Sequence, residues 1–275
     1  MKKFIANAYL WTLLTLVYAP IAIIFIFSFT EAKVLGTWTG FSTNLFTNLF
    51  EGAGGAELNN AIYYTLLIAL IAATVSTLLG SLAAVGIYNM RARMKRVTIF
   101  LNSIPMINPD IITGISLMLM FVFVGSRLGR ATSLNFGTML IAHITFCLPY
   151  VILQVLPKLR QMDAALPEAA MDLGCTPLRA FYKVELPEIL PGVLTGLLMA
   201  FTLSLDDFVI SYFTAGNGFQ TLPIRIYNMT KKTVTPKMYA LATIIFFVIL
   251  ALLLLSNLTE SRDAKRKPQK RHRDQ

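Results

Sequence analysis

The residues of this chain best placed to do chemistry are carboxylates set inside apolar sequence. Asp206 and Asp207 follow Ser204-Leu205 and precede Phe208-Val209-Ile210, with Tyr212 and Phe213 about one turn further on. An ionisable side chain at membrane depth is costly enough to imply a task. Carboxylates beside aromatic rings suit a cation, through charge pairing and cation-π contact. A path for an oxyanion would instead display Arg, Lys or bare helix N-termini. Neighbouring helical residues point about 100° apart, so one acid is expected to face a path while the other packs against a donor or caps a helix end. The alternative is a pair of interfacial acids near the outer headgroups. Asp110 is the third candidate, in Asn108-Pro109-Asp110, which reads as N-cap, first and second positions of a half-helix running through Gly114. There it serves either the helix dipole or a site built at a broken helix. No catalytic or metal-binding set emerges. The GxGD and YD contexts of an intramembrane aspartyl protease are missing, Cys147 and Cys175 lack disulfide or metal spacing, and His143 reads as a helix-to-helix hydrogen-bond partner.

The elements that must position these acids follow from composition. With 56% hydrophobic and 14% charged residues in 275, the chain is too apolar for one water-soluble core of this size. Six runs are long enough to cross a hydrocarbon layer of about 30 Å: residues 8–29, 61–88, 97–124, 136–156, 188–213 and 239–258. Their continuity predicts helices, because a bilayer offers no water to unpaired backbone groups. Pro105 and Pro109 are expected to break the third run. Asp206 and Asp207 then lie roughly 23–29 Å above the start of the fifth helix at ~1.5 Å per residue.

Cation placement predicts orientation. With six spans, one side holds Lys2, Lys3, Arg91, Arg93, Lys95, Arg96, Lys158, Arg160, Arg179 and Lys183. The tail at 259–275 adds Arg262, Lys265, Arg266, Lys267, Lys270, Arg271 and Arg273, so that side carries seventeen of the 24 Lys and Arg residues. Both termini are therefore expected to be cytoplasmic. The same bias accounts for the +10 formal charge without nucleic acid: Glu260, Asp263 and Asp274 interrupt the tail and no aromatic accompanies it, so anionic lipid is its expected partner. The first apolar run lacks an A-x-A-like cleavage site and reads as a retained span rather than a signal peptide.

Between the fourth and fifth runs, residues 157–187 carry their own pattern. Asp163 to Leu173 favours a short helix that Gly174 can end in a left-handed turn. Thr176-Pro177 offers an N-cap and a proline at the first helical position, opening a second helix that Pro187 is expected to stop. Glu168 and Asp172, four apart, share a face, and a cationic partner surface would relieve their repulsion.

Glu168-Ala169-Ala170, then three residues, Gly174, nine residues, Val184, one residue and Leu186-Pro187 resembles the EAA signature of MetI-like permeases of ABC importers, with Val in the isoleucine place. Ser204-Leu205-Asp206-Asp207-Phe208-Val209, Thr221-Leu222-Pro223 and Val234-Thr235-Pro236 are similar to the permeases of spermidine/putrescine importers. The resemblance implies an all-α, polytopic fold of the type I ABC importer permease class, with six transmembrane helices in one domain over residues 1–275. It implies that Glu168, Ala169, Ala170, Asp172, Gly174, Leu186 and Pro187 couple to an ATPase, and that polyamines are the cargo of the path for which the residues themselves offer Asp206, Asp207, Phe208 and Tyr212, with Asp110 as a further candidate. No phosphate-cradling GxxxxGK[ST] occurs in the chain. ATP and Mg are thus expected in a separate dimer of cytosolic ATP-binding subunits, with no cofactor and no enzymatic activity in this chain. A second permease subunit, identical or paralogous, and an extracytoplasmic polyamine-binding protein docking near 30–60 and 214–238 are the other implied partners, in a bacterial inner membrane. Iron, thiamine or another small cation is the alternative cargo; a self-sufficient channel or secondary transporter is the alternative class.

Overall fold

Capping and proline chemistry set the element boundaries of the computed structural model, which describes residues 2–31, 34–129, 134–163, 165–216, 218–232 and 235–266. Helix α1 (Lys2–Phe27) ends where the Ser28 hydroxyl turns back to donate to the Phe25 carbonyl at 2.6 Å. A single turn, α2 (Asn44–Thr47), leads to α3 (Gly52–Tyr88). This helix starts nine residues before the expected 61: Leu58 and Ala61 are buried, and Glu57 forms an ion pair with Arg225. The polar first turns are thus held by packing rather than by hydropathy.

The expected third span divides into α4 (Ala92–Ile107) and α5 (Asp110–Arg127). Pro105 lies inside α4, and only the Asn108-Pro109 step is extended. A proline disfavours helical geometry in the residue before it, which here gives Asn108 a ψ of 136°. The capping expectation is corrected by one position: Pro109 is the N-cap and Asp110 opens α5, while the Asn108 amide donates to the Thr113 hydroxyl at 3.3 Å. Helix α6 (Phe136–Gln161) starts from a reciprocal capping box between Asn135 and Thr138. It passes through Pro149 and Pro157 and runs five residues beyond the expected 156.

After α6 come α7 (Ala165–Asp172), α8 (Pro177–Ala180), a π turn (Phe181–Glu185), α9 (Leu186–Asp206), α10 (Val209–Thr214), α11 (Leu222–Lys232) and α12 (Lys237–Arg266). Pro187 does not stop a helix as expected. The helix runs on from Pro177 to Asp206, and the wider π turn falls just before Leu186-Pro187, where the missing N–H of the proline removes a rung of the ladder. The expected fifth span instead ends at Asp207, whose ψ of 121° separates α9 from α10.

Among the described residues, five helical stretches are long and apolar enough to cross a membrane: Ala6–Phe27, Gly54–Tyr88, Asp110–Arg127, Phe136–Gln161 and Pro177–Asp206. The sixth expected span corresponds to α12, whose apolar part is Lys237–Ala251. Val234 and the tail cations from Lys267 onward lie outside the described residues.

Two units divide the chain. In the first, residues 1–61 and 225–251, Phe29 stacks on Phe41 and tilts against Phe46, and Lys237 donates to the Asn48 carbonyl at 2.7 Å. The second, residues 62–224 and 252–275, has its core where α3, α6 and α9 meet, around Ala73, Ala84, Cys147, Val151, Val155, Ile189 and Ala200. Small residues permit that approach. A Cβ on Gly192 would stand 2.6 Å from Lys158 Cγ and 3.0 Å from the Gln154 carbonyl oxygen. Both acid-bearing helix breaks lie in this unit.

Candidate coupling loop and substrate path

The loop after α6 is a folded knuckle. Gly174 takes φ +85°, its N–H donates to the Met171 carbonyl at 2.9 Å, and Cys175 N–H donates to the Ala170 carbonyl at 3.0 Å. This pair of bonds is a Schellman motif, which satisfies the last carbonyls of α7. Two residues on, the Thr176 hydroxyl accepts from Arg179 N–H and Pro177 fills the first position of α8. Both halves of the expected helix, glycine turn and helix are therefore present.

The knuckle exposes what a partner would need. Glu168, Ala169 and Asp172 are exposed, and Leu173 and Leu178 stand 88% and 73% accessible beside them. Leu186 points the other way and packs against the second unit's core, while Pro187 is exposed at the start of α9. The loop residues singled out in the sequence thus fall on one continuous feature, with Leu186 as its root.

The two adjacent acids separate completely. Asp206 ends α9 with an exposed side chain. Asp207 turns inward, and its carboxylate accepts from the backbone N–H groups of Ile210 at 3.3 Å and Ser211 at 2.8 Å, capping the first turn of α10. Behind it lies His143 of α6, 1% exposed, with Nε2 at 3.6 Å from Asp207 Oδ2. Its ring shares hydrogen bonds with Ser204 through Nδ1 at 2.7 Å and with Ser211 through Nε2 at 2.9 Å. His143 is the inter-helix hydrogen-bond partner that the sequence leads one to expect.

Ser204 and Ser211 went unrecognised as site residues. The available signal was a pair of hydroxyls inside an apolar run, flanking the acids. Cys147, one turn from His143 on α6, turns its thiol to the Ala200 carbonyl at 3.4 Å. Among the described residues no group of three His, Cys, Asp or Glu could hold a metal ion.

The aromatic candidates divide as well. Phe208 packs against the cluster of Ile68, Met139, Ala215 and Ile224, with its ring 5.4 Å from that of Tyr212. Tyr212 is 46% exposed, the more accessible of the two rings. Asp110 is exposed at the start of α5, at the other helix break.

A nearly all-helical, multi-pass chain with a capped loop between two spans and exposed acids at helix breaks has the construction of a membrane permease. The profile of the family described as "Binding-protein-dependent transport system inner membrane component" matches residues 76–262, and the chain belongs to that family. It is thus a permease subunit of an ABC transporter and a multi-pass inner-membrane protein. It is 39% identical over 257 residues, 94% of this chain and 96% of the relative, to the spermidine/putrescine transport system permease protein PotC of Haemophilus influenzae. It is also 39% identical over 232 residues, covering 84% of this chain and 82% of the relative, to the putrescine transport system permease protein PotI of Escherichia coli. Among solved structures, a bacterial ABC transporter involved in the import of the acidic polysaccharide alginate superposes with a TM-score of 0.69. That match has 18% identity and covers 95% of this chain and 94% of that one, a likeness of fold.

Proposed function

We propose that this chain forms half of the path by which polyamines such as spermidine and putrescine enter the cell, driven by ATP hydrolysis in a separate cytosolic subunit. The observation that carries the cargo assignment is the 39% identity, over almost the whole chain, to a permease named for spermidine and putrescine transport. The chemistry of the site agrees with it. Asp206 and Asp110 are exposed carboxylates at two helix breaks, and Tyr212 is a partly exposed ring on α10, the helix that follows the first break. Spaced acids with an aromatic wall suit a flexible chain bearing several ammonium groups.

In this reading the termini and the 157–187 loop are cytoplasmic, as the cation bias favours. The loop docks α7 on the ATP-binding subunit through Glu168, Asp172 and the exposed leucines. A second permease subunit completes the path, a binding protein delivers the polyamine from outside, and the basic tail meets anionic lipid. ATP binding closes the ATPase dimer and the knuckle carries that movement into α9, opening the cavity outward; hydrolysis resets it. Transport requires cargo and nucleotide to favour different conformers, because equal affinity for both shifts no population.

The test is to purify the chain with the subunits that accompany it in its own membrane. ATP hydrolysis is then measured with the binding protein and each of spermidine, putrescine, ferric iron and thiamine. Stimulation by the polyamines alone is expected. Stimulation by iron or thiamine instead overturns the cargo, and substrate flux through the purified chain alone overturns the mechanism.

A further inference from the structure

The buried cluster around His143 is not explained by a docking loop or by a carboxylate-lined path. It lies wholly in the second unit and ties three helices together: α6 through His143, α9 through Ser204, and α10 through Ser211 and the residue that caps it, Asp207. His143 is 1% exposed, and both its ring nitrogens are engaged. Asp207 keeps 7% side-chain exposure, whereas Asp206, its neighbour in sequence, is exposed.

Buried acids and imidazoles are costly unless each finds partners, so such a cluster is held in one arrangement rather than several. Its geometry decides which acid is free. Asp207 Oδ2 already accepts Ser211 N–H and faces His143 Nε2, while Oδ1 accepts Ile210 N–H. Both carboxylate oxygens of Asp207 are therefore engaged inside the protein. The chain break at Asp207 is fixed by the same contacts, and this break is where α9 delivers Asp206.

We infer that His143 is a positioning residue for cargo recognition: by holding Asp207 and the two serines at the α9–α10 break, it leaves Asp206 as the one carboxylate of the pair presented to a cationic substrate. This rests on the cargo reading above. A polyamine ammonium group then meets one negative charge here, and its affinity depends on a histidine that it never touches.

The experiment uses the full chain in the membranes of cells that express it with its transport partners. Asp206→Cys and Asp207→Cys are each exposed to a small cationic thiol reagent, with the parent chain setting the background from Cys147 and Cys175. Asp206→Cys is expected to react about ten-fold faster than Asp207→Cys, and adding His143→Ala to the latter should largely close that gap. His143→Gln, which can still hydrogen-bond on two sides, should keep it. In uptake, His143→Ala should raise the apparent KM for spermidine about ten-fold, the scale of losing one charge-assisted hydrogen bond, with a smaller change in Vmax. His143→Gln should recover most of the loss.

Equal reactivity of the two cysteines in the parent background overturns the inference, as does a His143→Ala variant that lowers Vmax with KM unchanged. If His143→Ala fails to accumulate, Ser211→Ala removes one ring partner and should show the same KM shift in smaller measure; no shift refutes the role. A reactivity gap that stands while Asp206→Asn leaves polyamine KM untouched would discredit the cargo path and spare the positioning geometry.

Discussion

Replacing Gly174 isolates backbone conformation from every other effect. The residue sits at φ +85°, and a Cβ built there meets nothing within 4 Å, so steric crowding plays no part. An L side chain in the left-handed region costs roughly 1–2 kcal/mol, and Asn tolerates it better than Ala or a β-branched residue. The helix this turn terminates, α7, has eight residues, too few to persist alone in water, so its geometry depends on the turn that caps it. A loss of 1–2 kcal/mol lowers the ratio of formed to unformed turns by roughly 5- to 30-fold. Gly174→Ala and Gly174→Val should therefore weaken retention of the ATP-binding subunit and lower polyamine-stimulated ATP hydrolysis, with Val the worse. Gly174→Asn should stay near the parent. The assay is co-purification of the subunits followed by ATP hydrolysis with and without spermidine, with the amount of inserted chain as control. Equal behaviour of the Ala and Asn variants, or full coupling in the Val variant, refutes the argument that a left-handed turn shapes the docking surface.

Three further outcomes follow from the same structure. Glu168→Lys, on the exposed face of α7, should abolish ATP-coupled uptake while the chain remains inserted, as read by uptake beside membrane quantification. Gly192→Leu should lower the melting temperature of the purified chain, because its Cβ alone would stand 3.0 Å from the Gln154 carbonyl oxygen and overpacking costs roughly 1–3 kcal/mol. Asn135→Ala removes the side chain that accepts from Gly137 and Thr138 N–H, and should cost about 1 kcal/mol at the start of α6, measured by the same thermal shift.

Local chemistry was legible in the sequence wherever one residue type dictates one geometry. Gly174 and Thr176-Pro177 announced the turn and the cap that the knuckle contains, and the paired acids announced a division of labour between neighbours. Proline was the less dependable guide. Pro109 broke its helix, but Pro105, Pro149 and Pro157 did not, and Pro187 was absorbed by a π turn. A missing N–H can be accommodated by tertiary packing and local widening that sequence spacing does not display. The early start of α3 was hidden for a related reason, since Glu57 is held by Arg225, 168 positions away. The choice between Asp206 and Asp207 likewise depended on His143, more than sixty residues upstream on another helix. No local window contains that information.

The π turn before Pro187 has a mechanical meaning. Because it keeps the helix unbroken from Pro177 to Asp206, thirty residues become one strut about 45 Å long at ~1.5 Å per residue. One end carries Leu178 and the other carries Asp206. If the proposed docking and cargo roles hold, a torque applied at Leu178 travels along one helix to the carboxylate, and grip at one end moves affinity at the other like two cogs on one axle.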